Sequence, residues 1–417
     1  MSYIVIDQGT SSTKAFVFSN KGEILHQKKI KYKLERPKPF HIECNPKTIL
    51  DDIVCLFNEM VTKEKSKSIH GLGFAFQRST FLFWEKSTCI PLTPAISWQD
   101  SRATVILDRF KRHEGEVWEI TGAPLNAHFG GPKFYHMVQN NKNLKKKAKN
   151  GEVYFGPLSA FIVHAITGKA AIDESIAGRT LMYDLHSGGW SKFALDLFDV
   201  PIECLPPIKP VKYEYGNFLT SEIPLLAVIG DQQSALIGQS GLKKYTIGAN
   251  FGTSASIQYN VGSKPVFTPG LISSILFSDH KSKYFILEGT INACNALFYH
   301  LEKVLNIPHE KMHWDVRAKG IKTEGIYVPG FSGISAPYWK PGFPDIFNNT
   351  VDFGTPKRFS MLTEASKDND LLKALVDMAD GDTAKNGIFE KREIIADLFL
   401  AFPYIFNPSI FSILSVA

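Results

Sequence analysis

The sequence predicts an α/β protein of two lobes, and three observations support this fold class. The chain has 417 residues, enough for two or three domains of roughly 150 residues each. Short apolar runs and one helical pattern follow each other over residues 1–76 in the order β-β-β-α-β. A similar order of strand, polar turn and helix returns near residue 226, so we expect lobes at 1–225 and 226–417.

Local patterns place the individual elements in each lobe. Apolar runs bounded by Gly, Asn and Ser predict strands in the first lobe at 3–6, 15–18, 23–31 and 69–76. Apolar positions at the helical period predict a helix over 47–63. In the second lobe the same patterns predict helices at 234–241 and 292–305 and strands at 225–229, 246–251, 256–260 and 286–290.

Composition and charge argue against several kinds of partner. The formal net charge of +6, from 47 basic and 41 acidic residues, is too small and too evenly spread to indicate nucleic acid. The lysine-rich run 141–149 contains no aromatic residue, which favours a solvated helix end or loop. Pro403 and Pro408 interrupt the apolar stretch 398–417, so we do not expect a membrane span there.

The cysteines and the first residues predict a cytoplasmic protein. Five scattered cysteines, at 44, 55, 89, 204 and 294, have neither metal-site nor redox-pair spacing. Such thiols are expected to be reduced in the cytosol. The first residues lack a basic segment followed by a long apolar core, so no secretory signal is expected.

A polar turn between the first two strands is a candidate phosphate loop. It runs from Asp7 through Gly9, Thr10, Ser11 and Ser12 to Lys14. Backbone N–H groups and hydroxyls in such a turn can hold an anion, and an acidic residue at a strand end can hold Mg²⁺. An ordinary hairpin turn is the alternative interpretation.

Two further turns have related character. Gly252 and Thr253 lie in a second small-residue hairpin turn, which with the first could hold one nucleotide from both sides. Asp231 follows a strand and precedes a helix, where it can act as an N-cap, as a general base, or as both. A plain turn remains the alternative for Gly252 and Thr253.

Polar residues at one strand end are suited to a polyhydroxy substrate. Gln77, Arg78 and Ser79 end a predicted strand, and Trp98 and Asp100 follow in the next polar segment. A structural ion pair of Asp100 with Arg102 or Arg78 is the alternative. Neither a Gly-x-Gly-x-x-Gly, a His-Glu-x-x-His nor a Gly-x-Ser-x-Gly pattern occurs, which argues against Rossmann, zincin and hydrolase sites.

Together these motifs resemble the FGGY family of carbohydrate kinases, which includes glycerol and xylulose kinases. The resemblance covers residues 1 to about 345 and rests on the order of its fragments. These are Ile6–Lys14, Gln77–Thr80, Pro91–Arg102, Ile166–Gly168, Gly230–Gln233, Gly252–Thr253, Leu287–Gly289, Phe331–Gly333 and Ala336–Trp339.

The resemblance implies a two-lobed, actin-like ATPase (ribonuclease H-like) fold that phosphorylates a sugar or polyol with ATP and Mg²⁺ in the cleft between the lobes. It matches Asp231 to the catalytic base and Asp7 to the metal-associated carboxylate. Phosphate and nucleotide positions are matched by Gly9, Thr10, Ser11, Ser12, Lys14, Gly252, Thr253 and Gly333. Substrate positions are matched by Gln77, Arg78, Ser79, Trp98, Asp100, His128 and Gln232. The resemblance leaves open whether the protein forms a homodimer.

The chain departs from the family in two places. Ser79, His128 and Ser256 stand where glycerol kinases have an acidic residue, a tyrosine and a phenylalanine, which leaves room for a ligand larger than glycerol. The xylulose kinases' Met-His-Gly signature is also absent. Residues 348–417 match no family segment, so the second lobe is expected to be incomplete and its adenosine loop to be missing. The alternative function is therefore an impaired or truncated relative that binds a ligand or a partner.

Overall fold

The computed structural model describes residues 1–64, 68–251, 254–305, 326–328, 333–340 and 346–348, with single positions 308, 310, 330 and 344. The chain divides into two compact units. The first contains 1–250 and 256–290, and the second contains 251–255 and the chain after residue 290. The predicted lobe boundary at 225/226 differs from this division, because the strand that ends at Gly230 pairs inside the first unit.

The helices in the described part of the chain lie mostly in the first unit. They are α1 (Pro46–Glu64), α2 (Glu114–Thr121), α3 (Gly130–Gln139), α4 (Lys142–Lys149), α5 (Leu158–Thr167), α6 (Glu174–Ala177), α7 (Lys192–Leu197), α8 (Asp231–Ser240) and α9 (Asn295–Leu305). The lysine-rich run forms α4, where Lys145 pairs with Asp199 and Lys147 with Glu85. None of the helices described is long and apolar enough to cross a membrane.

A six-stranded sheet is the centre of the first unit. Its strands are β1 (Ser2–Gln8), β2 (Ser12–Ser19), β3 (Ile24–Lys31), β5 (Ile69–Phe76), β13 (Lys212–Asn217) and β14 (Pro224–Gly230), in the order β13-β14-β5-β1-β2-β3. β1, β5 and β14 run parallel, whereas β2, β3 and β13 pair antiparallel with their neighbours. The predicted order β-β-β-α-β is confirmed, apart from the short β4 (Glu43–Cys44) before α1.

The described residues also form two four-stranded sheets. The first has the order β4-β7-β6-β8 and adds β6 (Phe81–Glu85), β7 (Ala95–Ile96) and β8 (Val153–Pro157). The second has the order β15-β16-β18-β17 and contains β15 (Ile247–Phe251), β16 (Ala255–Gly262), β17 (Ile272–Ser278) and β18 (Lys283–Ile291). The two-stranded pairs are β10 (Tyr183–Asp184) with β11 (Gly189–Trp190) and β12 (Ile208–Lys209) with β9 (Ile172–Asp173).

Apolar packing explains these positions. α1 buries Ile49, Ile53, Leu56 and Met60 completely, which is the face that the helical period predicted. The predicted helix 234–241 begins earlier, at Asp231, because Gly230 is the last residue in extended conformation. In the second unit β19 (Ile326–Val328) pairs antiparallel with β20 (Ile346–Asn348). The predictions for residues 351–417 lie outside the described residues.

One close approach fixes the helix α3. A Cβ on Gly131 would lie 2.4 Å from a ring carbon of Phe198, whereas a Cβ on Gly115, at the second position of α2, would meet nothing within 4 Å. Helical propensity favours alanine over glycine by about 1 kcal/mol at either position. Only at Gly131 does overpacking oppose it, at a typical cost of about 1–3 kcal/mol.

We therefore expect Gly131→Ala to lower the midpoint of urea unfolding and Gly115→Ala to leave it unchanged or raise it. Each variant adds one methyl group at the second position of its helix. The difference between their unfolding midpoints therefore measures the contact of position 131 with Phe198. Equal midpoints for both variants would contradict this packing.

Candidate active site

Three parallel strands bring the predicted polar residues to one edge of the central sheet. Gln8 of β1 and Gly230 of β14 both stand opposite Phe76, the last residue of β5. Asp7, Arg78 and Asp231 therefore lie at neighbouring carboxyl ends of strands, where open α/β sheets bind ligands. Asp7, Arg78 and Asp231 are far apart in the sequence, but the register of the parallel strands makes them neighbours.

The first polar turn is closed by its own backbone. The Gly9 N–H donates to the carbonyl oxygen of Ser12 at 3.0 Å. Asp7 and Lys14 stand opposite each other on β1 and β2, and the Lys14 Nζ lies 3.2 Å from Asp7 Oδ2. Both side chains stay partly exposed, so the carboxylate and the ammonium group are accessible to a ligand at the turn.

Gln77 is buried and donates hydrogen bonds to residues of this turn. Its Nε2 donates to Gln8 Oε1 at 3.0 Å, to the Gly9 carbonyl at 3.2 Å and to the Tyr32 hydroxyl at 2.9 Å. The Tyr32 hydroxyl in turn donates to the same Gly9 carbonyl at 2.6 Å. Gln77 therefore fixes the turn through its Nε2, while its Oε1 accepts a hydrogen bond from Thr80 Oγ1 at 3.1 Å. The predicted substrate contact of Gln77 stays a prediction.

Trp98 contacts both the turn and His128, another predicted substrate residue. Its indole Nε1 donates to Thr10 Oγ1 at 2.8 Å, and its ring meets the His128 ring edge-on at 5.9 Å between centroids. Burial lowers the pKa of His128 well below its usual value, and the charges of Lys133 and Arg179 lower it further. His128 is therefore a neutral imidazole at pH 7.

Asp100 forms the ion pair with Arg102 that was the alternative interpretation, and its predicted substrate role stays a prediction. The Arg102 Nη2 donates to Asp100 Oδ2 at 2.7 Å and to Glu43 Oε1 at 2.6 Å. The Ile42 N–H also donates to Asp100 Oδ2 at 2.6 Å. The side chain of Asp100 is completely buried by these contacts, so it fixes the Trp98 segment.

Asp231 begins helix α8 and keeps an accessible carboxylate. Its side chain is 29% exposed, and its Oδ1 accepts the Gln232 N–H at 2.7 Å and lies 3.5 Å from Arg78 Nε. Desolvation raises the pKa of Asp231 to about 6, although the Arg78 charge lowers it. The charges of Asp7 and Glu288 also raise this pKa. An aspartate in this state can accept a proton near neutral pH.

A buried charge cluster that the sequence did not predict surrounds Arg78. Glu288 accepts two hydrogen bonds of 2.6 Å from Arg78, one on each carboxylate oxygen, and a further one from Arg179. Burial alone would raise the pKa of Glu288, but Arg179 and Arg78 outweigh burial and hold that pKa far below its usual value. The signal in the sequence was only the Leu287–Gly289 fragment, which carried no role.

Lys133 is a second feature that the sequence did not predict. Its fully buried Nζ donates to the carbonyl oxygens of Ser79 and Ser97, each at 2.8 Å. Burial lowers the pKa of Lys133 to about 7. Ser79 adopts φ +60°, a region that non-glycine residues rarely occupy. The hydrogen bond from Lys133 to the Ser79 carbonyl oxygen stabilises this backbone conformation.

The remaining predicted residues lie in different parts of the structure. Gln232 lies beside Asp231, and its Oε1 accepts a hydrogen bond from Asn250 at 3.1 Å. Ser79 and Ser256 are buried, and among the described residues the Oγ of each has no hydrogen-bond partner. Gly333 lies in the second unit at φ +75°. Gly252 and Thr253 lie outside the described residues, so their contact with phosphate stays a prediction.

The donor set of the turn fits a magnesium nucleotide. Among the described residues there is no group of three or more His, Cys, Asp or Glu side chains that could hold a metal. Mg²⁺ commonly needs only one or two carboxylates when phosphate oxygens and water complete its coordination. Asp7 can supply such a carboxylate, with Lys14 and the hydroxyls of Thr10 and Ser11 beside it.

Comparisons with known proteins agree with this geometry. The model of the FGGY family of carbohydrate kinases, N-terminal domain, matches residues 2–238. Glycerol kinase 1 of Thermotoga maritima is 31% identical over 353 residues, which cover 82% of this chain and 72% of that protein. The glycerol kinase of Bacillus thuringiensis is 32% identical over 348 residues, covering 80% and 70%.

Solved structures give the same result for the fold. Plasmodium falciparum glycerol kinase with ADP superposes with a TM-score of 0.75 at 28% identity, covering 87% of this chain and 75% of that one. A ligand-bound xylulose kinase from Lactobacillus acidophilus gives 0.74 at 20% identity over the same shares, which supports the fold alone. The predicted α/β, two-domain actin-like sugar kinase fold is thus confirmed, and the chain belongs to the FGGY family of carbohydrate kinases.

Proposed function

We propose that this protein transfers the γ-phosphoryl group of ATP to a hydroxyl of a sugar or polyol. The observation that carries the proposal is Asp231, a carboxylate with a raised pKa beside Arg78 at the carboxyl edge of the sheet. The resemblance to the family matches Asp231 to the catalytic base, which supports this role. The named relatives include glycerol kinases, which supports a polyol or sugar as acceptor.

In the proposed reaction Asp231 removes the proton from the substrate hydroxyl. The oxygen then forms a bond to the γ-phosphorus, and the bond from that phosphorus to the bridging oxygen breaks, so ADP leaves. Arg78, Trp98, His128, Ser79 and Gln232 are proposed to orient the substrate.

On the nucleotide side, Gly9, Thr10, Ser11, Ser12 and Lys14 would contact the phosphates, together with Gly252, Thr253 and Gly333. Asp7 would hold Mg²⁺, which when bound offsets the charge on the phosphate oxygens. Thr10 fits the role of a phosphate contact because its hydroxyl oxygen accepts a hydrogen bond from the Trp98 indole N–H. The hydroxyl proton of Thr10 is then still available for donation to a phosphate oxygen.

An assay of ADP release with glycerol, pentitols and ketoses tests the proposal and identifies the substrate. We expect turnover with at least one sugar or polyol larger than glycerol, because Ser79, His128 and Ser256 replace larger or acidic side chains of glycerol kinases. Absence of turnover together with absence of nucleotide binding would reject the proposal.

Asp231→Asn should reduce kcat by about 10²–10⁴-fold, because the amide cannot accept the hydroxyl proton. Substrate and nucleotide affinity should change little, since the side chain keeps its size. Asp196→Asn is the matched control, as Asp196 is 70% exposed on α7 and, among the described residues, forms an ion pair with Lys192 alone. Near-normal turnover of Asp231→Asn would refute the assignment.

The pH dependence of kcat/KM should show an acid limb near pH 6. Above this pH Asp231 is ionised and can accept a proton, whereas below it the carboxyl is protonated and the rate falls about tenfold per pH unit. The limb should be measured with the best substrate of the panel. A profile that stays flat down to pH 4.5 would be inconsistent with Asp231 as the base.

Gln77→Leu tests the role that the structure gives to this residue. We expect the KM for ATP to rise several-fold because the Gly9 carbonyl loses a hydrogen bond and the turn loosens, while the KM for the acceptor stays nearly constant. Gln139→Leu, at the exposed end of α3, is the control. An effect confined to the acceptor KM would instead support the direct substrate contact.

A further inference from the structure

We propose that Glu288 is a positioning residue that holds Arg78 beside Asp231 and offsets the charge of that arginine at the base. This inference rests on the proposed function only through the role of Asp231. It extends the proposed function, because Glu288 and Arg179 are not among the substrate or phosphate positions that the resemblance implies.

The contacts of Glu288 fix the guanidinium plane of Arg78. Each carboxylate oxygen accepts one 2.6 Å hydrogen bond from Arg78, a two-point pairing that sets both distance and orientation. Gln233 Oε1 accepts a further bond from Arg78 Nη1 at 3.2 Å. With Nη1 and Nη2 engaged in this way, the Nε edge of Arg78 is directed to Asp231 Oδ1 at 3.5 Å.

A second cation secures Glu288 from another element. Arg179, in the turn after α6, donates its Nη2 to Glu288 Oε2 and is only 2% exposed. Gln258 of β16 donates to the same oxygen at 3.4 Å. Because Glu288 is completely buried, its ionised state depends on these two arginines.

The charges that face Asp231 come from several elements. Arg78 follows β5, Arg179 follows α6, Glu288 lies on β18 and Asp7 on β1, where Lys14 of β2 pairs with it. Arg78 favours the ionised form of Asp231, whereas Glu288 and Asp7 oppose ionisation. Loss of the Glu288 charge would leave both arginines uncompensated, and Asp231 would be their nearest remaining anion.

The test is Glu288→Gln, which keeps the shape and removes the charge. The Asp231 carboxyl should titrate about one pH unit lower in the variant, an effect typical of an unopposed cation nearby. The titration is followed by NMR of protein labelled at the aspartate side-chain carbonyl carbon, with Asp231 assigned from the signal missing in Asp231→Asn. The acid limb of kcat/KM should move down by the same amount.

Glu174→Gln is the matched control. Glu174 is also a buried glutamate with a 2.6 Å ion pair, to Lys283, but it is not among the groups that shift the pKa of Asp231. It should alter thermal stability without moving the Asp231 titration. Glu288→Asp, which keeps the charge, should retain the wild-type titration midpoint and show a raised KM for the acceptor.

The double variant Arg78→Met/Glu288→Gln covers the case in which the single variant does not fold. It removes both charges of the pair, and Asp231 should then titrate at a lower pH than in Arg78→Met alone, because Arg179 has lost its carboxylate partner. An unchanged Asp231 titration in Glu288→Gln, or equal shifts in Glu288→Gln and Glu174→Gln, would overturn the inference. The titration needs no turnover, so the two proposals can fail separately. If the unmodified protein shows neither turnover nor nucleotide binding but Glu288→Gln still shifts the Asp231 titration, the proposed function is rejected and the role of Glu288 is supported.

Discussion

The parallel pairing of β14, β5 and β1 is the constraint on which the candidate site depends. Parallel strands in register end at one edge, so the residues that follow β5 and β14 become neighbours of Asp7 at the end of β1. The buried alternation along these strands, with Ile4 and Ile6 on the core side, holds the register. A slip by one residue between these parallel strands would displace Arg78 and Asp231 from the end of β1.

Given this edge, the chemistry of Asp231 follows from a balance between burial and charge. Burial favours the protonated acid, and the nearby Arg78 favours the carboxylate. An arginine alone at 3.5 Å would leave a weak base, but the charge of Arg78 is shared with Glu288 through two short hydrogen bonds. The cluster thereby combines a fixed cation with a carboxylate that still accepts protons near neutral pH.

The sequence predicts α1, the central strands other than β13 and the positions of Asp7, Arg78 and Asp231 at strand ends, because these depend on local periodicity. It does not predict Glu288 as the partner of Arg78, since 210 residues separate them and a lone glutamate in a strand gives no signal of burial. Gln77 and Asp100 show a related limit. Their type and place suggest substrate contact, but only the three-dimensional contacts reveal that Tyr32, Gly9 and Arg102 already occupy their polar atoms.

Hydrogen bonds to backbone carbonyls fix two parts of the candidate site within the first unit. Gln77 and Tyr32 bind the Gly9 carbonyl and fix the turn after β1, while Lys133 binds the Ser79 and Ser97 carbonyls and fixes the segments that contain them. Trp98 connects these parts, because its indole reaches Thr10 in the turn while its backbone N–H donates to Thr80. The turn and the segments held by Lys133 are therefore joined by hydrogen bonds, so a shift of one displaces the other.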